Sequence, residues 1–324
     1  MPKPFTIEFH LPASPNTPSF FSQIGMFALS LRELGPPYSV APIHVSIGHS
    51  ERLPIPDAYG LRECRDQLRF HWVSEEEFAA KSIFAQGENR FRVIGDSEFV
   101  CMSDPDTLML RRFDELLQEL RDSPAVAGAV VRVPQFPRTP EKTVRQGWEY
   151  TAQMLLGRSI AFPCRHTFAE GPDAPDEETP FCMNFGFVIA PRELMCELRQ
   201  DFFDLRKGIV DLFPVLPNEH PPQMHHYSAQ IALALAIEKN QIPWRALPMR
   251  YNWPNASDAA RLYPEEIPEI RVLHYLRRTE LQRDRIFCDR ESFEQFLETR
   301  FSEVGNQLLQ ERVRKLTNGV YLGP

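Results

Sequence analysis

Three features that the sequence lacks limit the possible functions of this chain of 324 residues. The chain contains no run of 18 apolar residues and no basic amino-terminal stretch followed by an apolar one, which argues against a membrane helix and a signal peptide. Its formal net charge of -8 argues against broad nucleic-acid binding, although a local basic site remains compatible with an acidic surface. We therefore expect a cytoplasmic protein whose partners are small molecules.

The sequence also lacks closely spaced pairs of cysteines. None of the six cysteines stands in a Cys-x-x-Cys motif, which argues against a zinc ribbon and against a disulfide framework. We expect reduced thiols in the core. They are Cys64, Cys101, Cys164, Cys182, Cys196 and Cys288.

The amino-terminal half predicts alternating strands and helices. Apolar residues alternate over 5–11, recur at helical spacing over 20–31 and alternate again over 43–47, which indicates a right-handed β-α-β unit. The box formed by Ser74 and Glu77 predicts a helix that runs toward position 81. Apolar runs at 99–102 and 125–131 predict two further strands, the second of them covered on both faces.

The carboxyl-terminal half continues this pattern. We expect a helix within 139–156, a strand over 181–190, a buried helix over 229–237 and a strand over 270–276. An acidic, proline-rich segment at 170–180 is a candidate lid. An apolar stripe from 293 to 313 predicts one docked helix capped by Asp289. The chain is therefore predicted to be α/β, with a mostly parallel central sheet and a carboxyl-terminal helical extension.

Two carboxylates follow the strand predicted at 99–102. Asp104 and Asp106 flank Pro105, and carboxylates at the carboxyl end of a strand are suited to a divalent cation that serves a phosphorylated ligand. Chance alone supplies about one Asp-x-Asp in a chain of this composition. A turn at Asp104-Pro105, with Asp106 as the cap of the next helix, is the structural alternative.

Five features occur in the order typical of one enzyme family. They are an apolar strand, Asp104-x-Asp106 directly after it, Asn184-Phe185-Gly186 within 181–190, Tyr227-Ser228-Ala229-Gln230, and His274 after a further apolar strand. This order resembles the nucleotide-sugar glycosyltransferases of the GT-A fold, a Rossmann-like fold, and is most similar to the retaining family 8 type and its bacterial relatives. The resemblance spans roughly residues 5 to 278.

The resemblance implies a cation site and a sugar site. Asp104, Asp106 and His274 would hold Mn²⁺ or Mg²⁺, which binds the diphosphate of a nucleotide-sugar donor, expected to be a UDP-sugar. Asn184 and Gln230 would act beside the donor sugar, and Gly186 would let the ligand approach the backbone. A carboxylate pair with one imidazole suits Mn²⁺. The domain division implied is 1–278, with a nucleotide-binding half 1–106 and an acceptor half 107–278, followed by the extension 279–324.

The chain departs from the family pattern at Ala229 and in the segment after His274. Ala229 stands where the family usually has Asp, which removes a carboxylate from the sugar site. The family ends with His-x-x-Gly-x-x-Lys-Pro-Trp, whereas this chain lacks the Gly and Lys after His274. Arg277 or Arg278 is a candidate replacement for the lysine, because a guanidinium grips phosphate oxygens in a bidentate manner.

The remaining candidate contacts to the donor are assigned only by their position in the sequence. Ser14 and Asn16 fall where the family contacts uridine or ribose. Arg90 and Arg92 precede the metal strand and are candidate phosphate or sugar contacts, with a solvated basic helix face as the alternative. The acceptor, whether carbohydrate, lipid-linked or protein, has no readable motif.

Two other functions remain open at this stage. Phosphatases of the haloacid dehalogenase type also place Asp-x-Asp-x-Thr after a strand, but Thr107 comes one place too early for that motif. A nucleotide-sugar-binding protein of the GT-A fold without turnover is favoured by Ala229 and by the incomplete terminal motif. Retention of the anomeric configuration is implied only by the resemblance.

Overall fold

A central sheet with helices on both faces organises the molecule. The computed structural model describes residues 4–14, 18–49, 60–81, 85–132, 143–168, 178–213, 223–275 and 284–323. Most of the candidate lid at 170–180 lies outside the described residues.

Twelve strands occur in these described ranges. They are β1 (Ile7–Ala13), β2 (Ile43–Ile47), β3 (Leu68–Trp72), β4 (Phe99–Met102), β5 (Thr107–Met109), β6 (Val126–Val130), β7 (Cys164–Arg165), β8 (Glu178–Thr179), β9 (Met183–Pro191), β10 (Trp244–Ala246), β11 (Trp253–Pro254) and β12 (Val272–His274).

Ten α-helices accompany them in the same ranges. They are α1 (Pro18–Glu33), α2 (Glu75–Lys81), α3 (Ala85–Arg92), α4 (Asp114–Asp122), α5 (Val144–Leu156), α6 (Arg192–Leu212), α7 (Gln223–Asn240), α8 (Ser257–Leu262), α9 (Arg290–Glu298) and α10 (Val304–Thr317). None of the helices in the described part of the chain combines the length and apolar composition needed to cross a bilayer.

The central sheet has seven strands in the order β10-β6-β9-β4-β1-β2-β3. Its pairs are parallel except for those of β9, which runs antiparallel to both β4 and β6. The expected mostly parallel α/β sheet is therefore confirmed. β3 was not predicted. It is a short strand at the edge of the sheet, its apolar residues are interrupted by Arg69 and His71, and only Leu68 among its five residues is buried.

Two apolar layers enclose this sheet. In one layer, α5, α6, α7 and Phe91 of α3 pack against one face of the sheet. In the other layer, α1 and α4 pack against the opposite face. All four residues of β4 are buried, because that strand lies between β1 and β9 with cover on both sides. The sheet thereby fixes the point at which the Asp104 segment leaves the core.

A smaller sheet with the order β11-β12-β5 lies beside the first. It shares a third apolar cluster with α9 and α10. Asp289 caps α9 as predicted, since its carboxylate accepts from the backbone N–H of Ser292 at 2.7 Å. The prediction of one terminal helix was wrong, because residues 299–303 break the apolar stripe into two helices that pack together.

Candidate metal centre and adjoining cavity

The two carboxylates lie in the short turn that joins β4 to β5. Thr107 Oγ1 donates to the backbone carbonyl of Asp104 at 2.7 Å and lies 2.9 Å from Ser103 Oγ, so both ends of the turn are tied to β5. A strand, not a helix, follows Asp106, and α4 begins at Asp114. The alternative in which Asp106 caps a helix is therefore wrong.

His274 reaches these carboxylates through strand pairing. β12 runs antiparallel to β5 and places His274 opposite Thr107. Its Nε2 then lies 3.3 Å from Asp106 Oδ1 and 3.9 Å from Asp104 Oδ2. Ligand atoms of these three residues all lie within 4.8 Å of one another. A set of two carboxylates and one imidazole suits Mn²⁺, and its compactness permits one ion to touch all three.

A chain of hydrogen bonds sets the orientation of the His274 ring. The backbone N–H of Gly186 donates to one side-chain atom of Asn184 at 2.8 Å, which must be the oxygen because an N–H only donates. Asn252 therefore presents its amide nitrogen to that oxygen, at 3.0 Å. Its own oxygen then faces His274 Nδ1, at 2.9 Å.

This chain determines the tautomer of the histidine. Since Asn252 Oδ1 can only accept, His274 Nδ1 carries a proton, and Nε2 is the ring nitrogen that faces Asp104 and Asp106. Histidines that bind metals are commonly oriented in this way by a partner of the other ring nitrogen. The site thus has the polarity of a cation site before any cation binds.

Gly186 is required for a reason additional to the one expected. A Cβ at this position would overlap His274 Nδ1 and Asn252 Oδ1. Close approach of the ring and the amide to the backbone, and not only the approach of a ligand, excludes a side chain here.

A cavity of about 450 Å³ opens beside Asp104, and we call it the main cavity. Its volume falls within the range of about 300–1,000 Å³ that is typical of small-molecule sites. Among its lining residues, Gln86 Oε1, Gln230 Oε1 and Arg90 Nε are buried atoms without a hydrogen-bond partner. The lining residues are Pro12, Gln86, Gly87, Arg90, Asp104, Phe185, Arg206, Tyr227, Ala229 and Gln230.

The structure brings several of the predicted residues together. Asp104, Asp106, His274, Asn184 and Gly186 form one hydrogen-bonded or near-contact group. Gln230 comes from α7 and lines the main cavity, whose wall also includes Asp104.

Other predicted residues lie elsewhere. Ser14 follows β1 and is buried, but it is not among the residues that line the main cavity. Arg92 contacts Glu77 and Glu88 and stacks over Phe203, so its guanidinium is already paired. The predictions for Asn16 and Arg277 lie outside the described residues.

Two residues of the site carry no signal in the sequence. Asn252 follows a short 3₁₀ helix, Met249–Tyr251, and its role depends on partners 22 and 68 positions away. Arg206 belongs to an amphipathic helix whose charge pattern does not indicate which basic residue faces inward. Arg90, which was weighed beside Arg92, is buried on the cavity wall and not on a solvated face.

A second polar cluster lies across β1, β2 and β3. His10 Nε2 donates to Glu8 Oε1 at 2.8 Å, and His44 Nδ1 lies 2.9 Å from His71 Nε2. The His10 and His44 rings stack at 7°, with centroids 4.7 Å apart. Since imidazole lone pairs lie in the ring plane, one ion cannot lie in both planes, and this arrangement is a buried hydrogen-bonded ladder and not a formed metal site.

Burial shifts the titration of this ladder. Desolvation lowers the pKa of His10 and lowers the pKa of His44 to about 4. Desolvation alone would raise the pKa of Glu8, but hydrogen bonds from His10 and the Gly95 N–H outweigh it, and the pKa is lowered. The ladder therefore holds neutral imidazoles beside a carboxylate anion at neutral pH.

The architecture is that of the GT-A glycosyltransferase fold. An active-site mutant of LgtC is similar to this chain with a TM-score of 0.50 and 15% identity, over 83% of this chain and 87% of that one. The galactosyltransferase LgtC in complex with donor and acceptor sugar analogs is similar with a TM-score of 0.48 and 16% identity, over 83% of this chain and 87% of that one. Mouse xyloside xylosyltransferase 1 is similar with a TM-score of 0.47 and 11% identity, over 85% of this chain and 99% of that one. Neither known family models nor curated protein sequences match the chain.

Proposed function

We propose that this protein is a metal-dependent glycosyltransferase that moves a sugar from a nucleotide-diphosphate sugar, expected to be a UDP-sugar, to an acceptor. The observation that carries the proposal is the grouping of Asp104, Asp106 and His274, of which Asp104 also lines the main cavity. The GT-A fold supports it, and the nearby solved structures are glycosyltransferases.

Asp104, Asp106 and His274 would hold Mn²⁺ or Mg²⁺, and the bound ion would offset the charge that develops on the departing diphosphate. Gln230 and Asn184 would contact the donor sugar, since Gln230 presents a buried acceptor without a partner to the main cavity. Ser14 and Asn16 remain candidate nucleoside contacts, Arg92 a weaker donor contact, and Arg277 a candidate phosphate contact.

The other parts of the proposal rest on the sequence resemblance. They are retention of the anomeric configuration, a nucleotide-binding half at 1–106, an acceptor half at 107–278 and an extension at 279–324. Proton magnetic resonance of the product's anomeric signal tests retention, and an inverted linkage would contradict it.

Turnover tests the main proposal. The protein is incubated with Mn²⁺ and a panel of nucleotide sugars, with candidate acceptors, and released nucleoside diphosphate is measured. We expect release that stops on chelation and in Asp106→Ala but continues in Asp122→Ala, a change at the exposed end of α4. Release that is unaffected by Asp106→Ala would contradict the proposed site.

A binding protein without turnover is the second candidate. Ala229 lines the main cavity and contributes no carboxylate to it. Mn²⁺-dependent binding of a nucleotide sugar without release of diphosphate, with or without acceptors, would favour this alternative.

A further inference from the structure

Ser103 links β4, the strand that leads to the two aspartates, to β9. It directly follows the last residue of β4 and is fully buried. The pairing of β4 with β9 ends where Met102 lies opposite Val188. Beyond that end, the Ser103 hydroxyl donates to the backbone carbonyl of Gly186, with 2.7 Å between the two oxygens. A side chain thus continues the contact between the two strands past the end of their backbone pairing.

The carbonyl of Gly186 needs this donor because the residue is buried. A buried carbonyl without a hydrogen bond loses the partner that water supplies in the unfolded chain. An apolar side chain at position 103 would extend the apolar run of β4 but could not donate. The burial of Gly186 therefore gives a reason for a polar residue at the end of this run.

Gly186 forms hydrogen bonds on both sides. Its N–H donates to Asn184 Oδ1, which begins the chain that reaches Nδ1 of His274 through Asn252. Its carbonyl accepts from Ser103, and the residue after Ser103 is the first aspartate of the cation group. One residue of β9 is therefore joined to the imidazole on one side and to the carboxylate turn on the other.

Thr107 holds the turn from its other end. Its Oγ1 lies 2.7 Å from the carbonyl oxygen of Asp104 and 2.9 Å from Ser103 Oγ. Each hydroxyl has one proton, and the carbonyls of Asp104 and Gly186 can only accept, so each carbonyl takes one proton at the shorter distance. Removing the Ser103 hydroxyl therefore breaks the link to β9 and leaves the bond within the turn.

Backbone hydrogen bonds hold Ser103 independently of its side chain. Its N–H donates to the carbonyl of His10 at 3.0 Å, and its own carbonyl accepts from Arg90 Nη1 at 3.3 Å. An alanine at this position retains both bonds. We therefore expect Ser103→Ala to fold and to change the link to β9 selectively.

We propose that Ser103 is a positioning residue for the cation group, whose bond to Gly186 keeps the two carboxylates within reach of the ion that His274 contacts. The inference rests on the proposed function, because it concerns the cation proposed there. Nε2 of the histidine lies 3.3 Å from Asp106 Oδ1 and 3.9 Å from Asp104 Oδ2. Without the bond, β9 and the carboxylate turn shift apart, and Mn²⁺ stays on the carboxylates without the imidazole.

Pulsed electron paramagnetic resonance of bound Mn²⁺ tests the proposal, because a nitrogen bound to the ion modulates the spin echo. We expect this modulation in the unaltered protein, and we expect it to change when the histidines are labelled with ¹⁵N. Ser103→Ala should lose it and bind Mn²⁺ about 10- to 100-fold more weakly. If Ser103→Ala does not fold, Ser103→Cys should show a reduced modulation, because a thiol is a weaker donor.

Ser46→Ala is the matched control. Ser46 is as buried as Ser103, but its Oγ has no hydrogen-bond partner. This variant should leave the modulation and the affinity for Mn²⁺ unchanged. Thermal unfolding accompanies each variant. A lower unfolding temperature in Ser103→Ala with an unchanged nitrogen modulation would show a purely structural role for Ser103 and would overturn the proposal.

Failure of this inference is distinguishable from failure of the proposed function. If Mn²⁺ does not bind the unaltered protein, or binds it without nitrogen modulation, the cation group on which the proposed function depends is wrong. If the modulation is present and survives in Ser103→Ala, or is lost equally in Ser46→Ala, only the role of Ser103 is contradicted.

Discussion

Nδ1 of His274 lies 2.9 Å from Oδ1 of Asn252, and this contact orients the ring toward the two aspartates. The orientation originates at the Gly186 N–H, which fixes the Asn184 amide and, through it, the amide of Asn252. A backbone group of β9 thus determines which nitrogen of a side chain on β12 faces the two aspartates.

Replacing Asn252 with Leu should weaken Mn²⁺ binding by about 10- to 100-fold, because the proton on His274 would no longer be held at Nδ1. Titration of Mn²⁺ followed by electron paramagnetic resonance measures this affinity. Asn255→Leu is the matched control, since Asn255 is also buried but its side chain bonds Asn306. Equal Mn²⁺ affinities in the two variants would contradict the role given to Asn252.

Replacing Gly186 with Ala should displace His274 and Asn252, because the new Cβ would overlap atoms of both side chains. We expect a loss of about 1–3 kcal/mol in the free energy of unfolding by urea, together with loss of Mn²⁺ binding. Gly319→Ala provides the control. Gly319 has φ +73° and open space around it, so alanine there should cost about 1 kcal/mol through backbone strain and leave Mn²⁺ binding intact.

The cation group could be predicted from the sequence only in part. The apolar run of β4 places Asp104 and Asp106 at a strand end, and the order of motifs led to His274. The partner that orients His274 could not be predicted, because Asn252 acquires its role through pairing between β12 and β5 and through the missing side chain of Gly186. Such contacts join distant residues and leave no local pattern.

Lowering the pH should destabilise the fold through the ladder of Glu8, His10 and His44. The pKa of His44 is about 4 in the folded protein against about 6.5 for a free histidine, so between these values the unfolded chain binds the extra proton. The contribution is complete above pH 6.5 and declines as the pH falls toward 4, by at most ~3 kcal/mol. The lowered pKa of Glu8 acts in the same direction at still lower pH.

Urea unfolding at pH 7.5 and pH 5.0 measures this loss, and His44→Gln should reduce the difference between the two values. His49 is the matched control, because its ring packs against Phe78 and not in the ladder. An unchanged difference in His44→Gln, or an equal reduction in His49→Gln, would show that other groups control the acid response.

Replacing Arg312 with Met should destabilise the protein by about 2–4 kcal/mol, because this buried residue joins α10 to the body of the fold. Its Nη2 donates to the carbonyls of Ser30 at 3.1 Å and Met109 at 2.8 Å, and its Nη1 pairs with Glu33. Lys315→Met removes an exposed partner of the same Glu33 and should cost less than about 1 kcal/mol. Similar losses in the two variants would contradict this account of how α10 is attached.

The charge of the main cavity also could not be predicted from the sequence. Arg206 lies in a helix whose sequence alternates acidic, basic and apolar residues, and only the packing of α6 against α3 and α7 turns this one guanidinium inward. Arg92, by contrast, stands two residues from Arg90 on α3 and is paired with Glu77 and Glu88. Helical spacing alone does not distinguish these arginines, because burial depends on the neighbouring helices.

A crystal soaked with Mn²⁺ and UDP tests the central claim most directly, through anomalous scattering from the manganese. The account predicts one manganese bound by Asp104, Asp106 and Nε2 of His274, with the diphosphate on the ion and the main cavity beside it. Manganese contacted by neither Asp106 nor His274, or UDP bound with no manganese at this group, would contradict it.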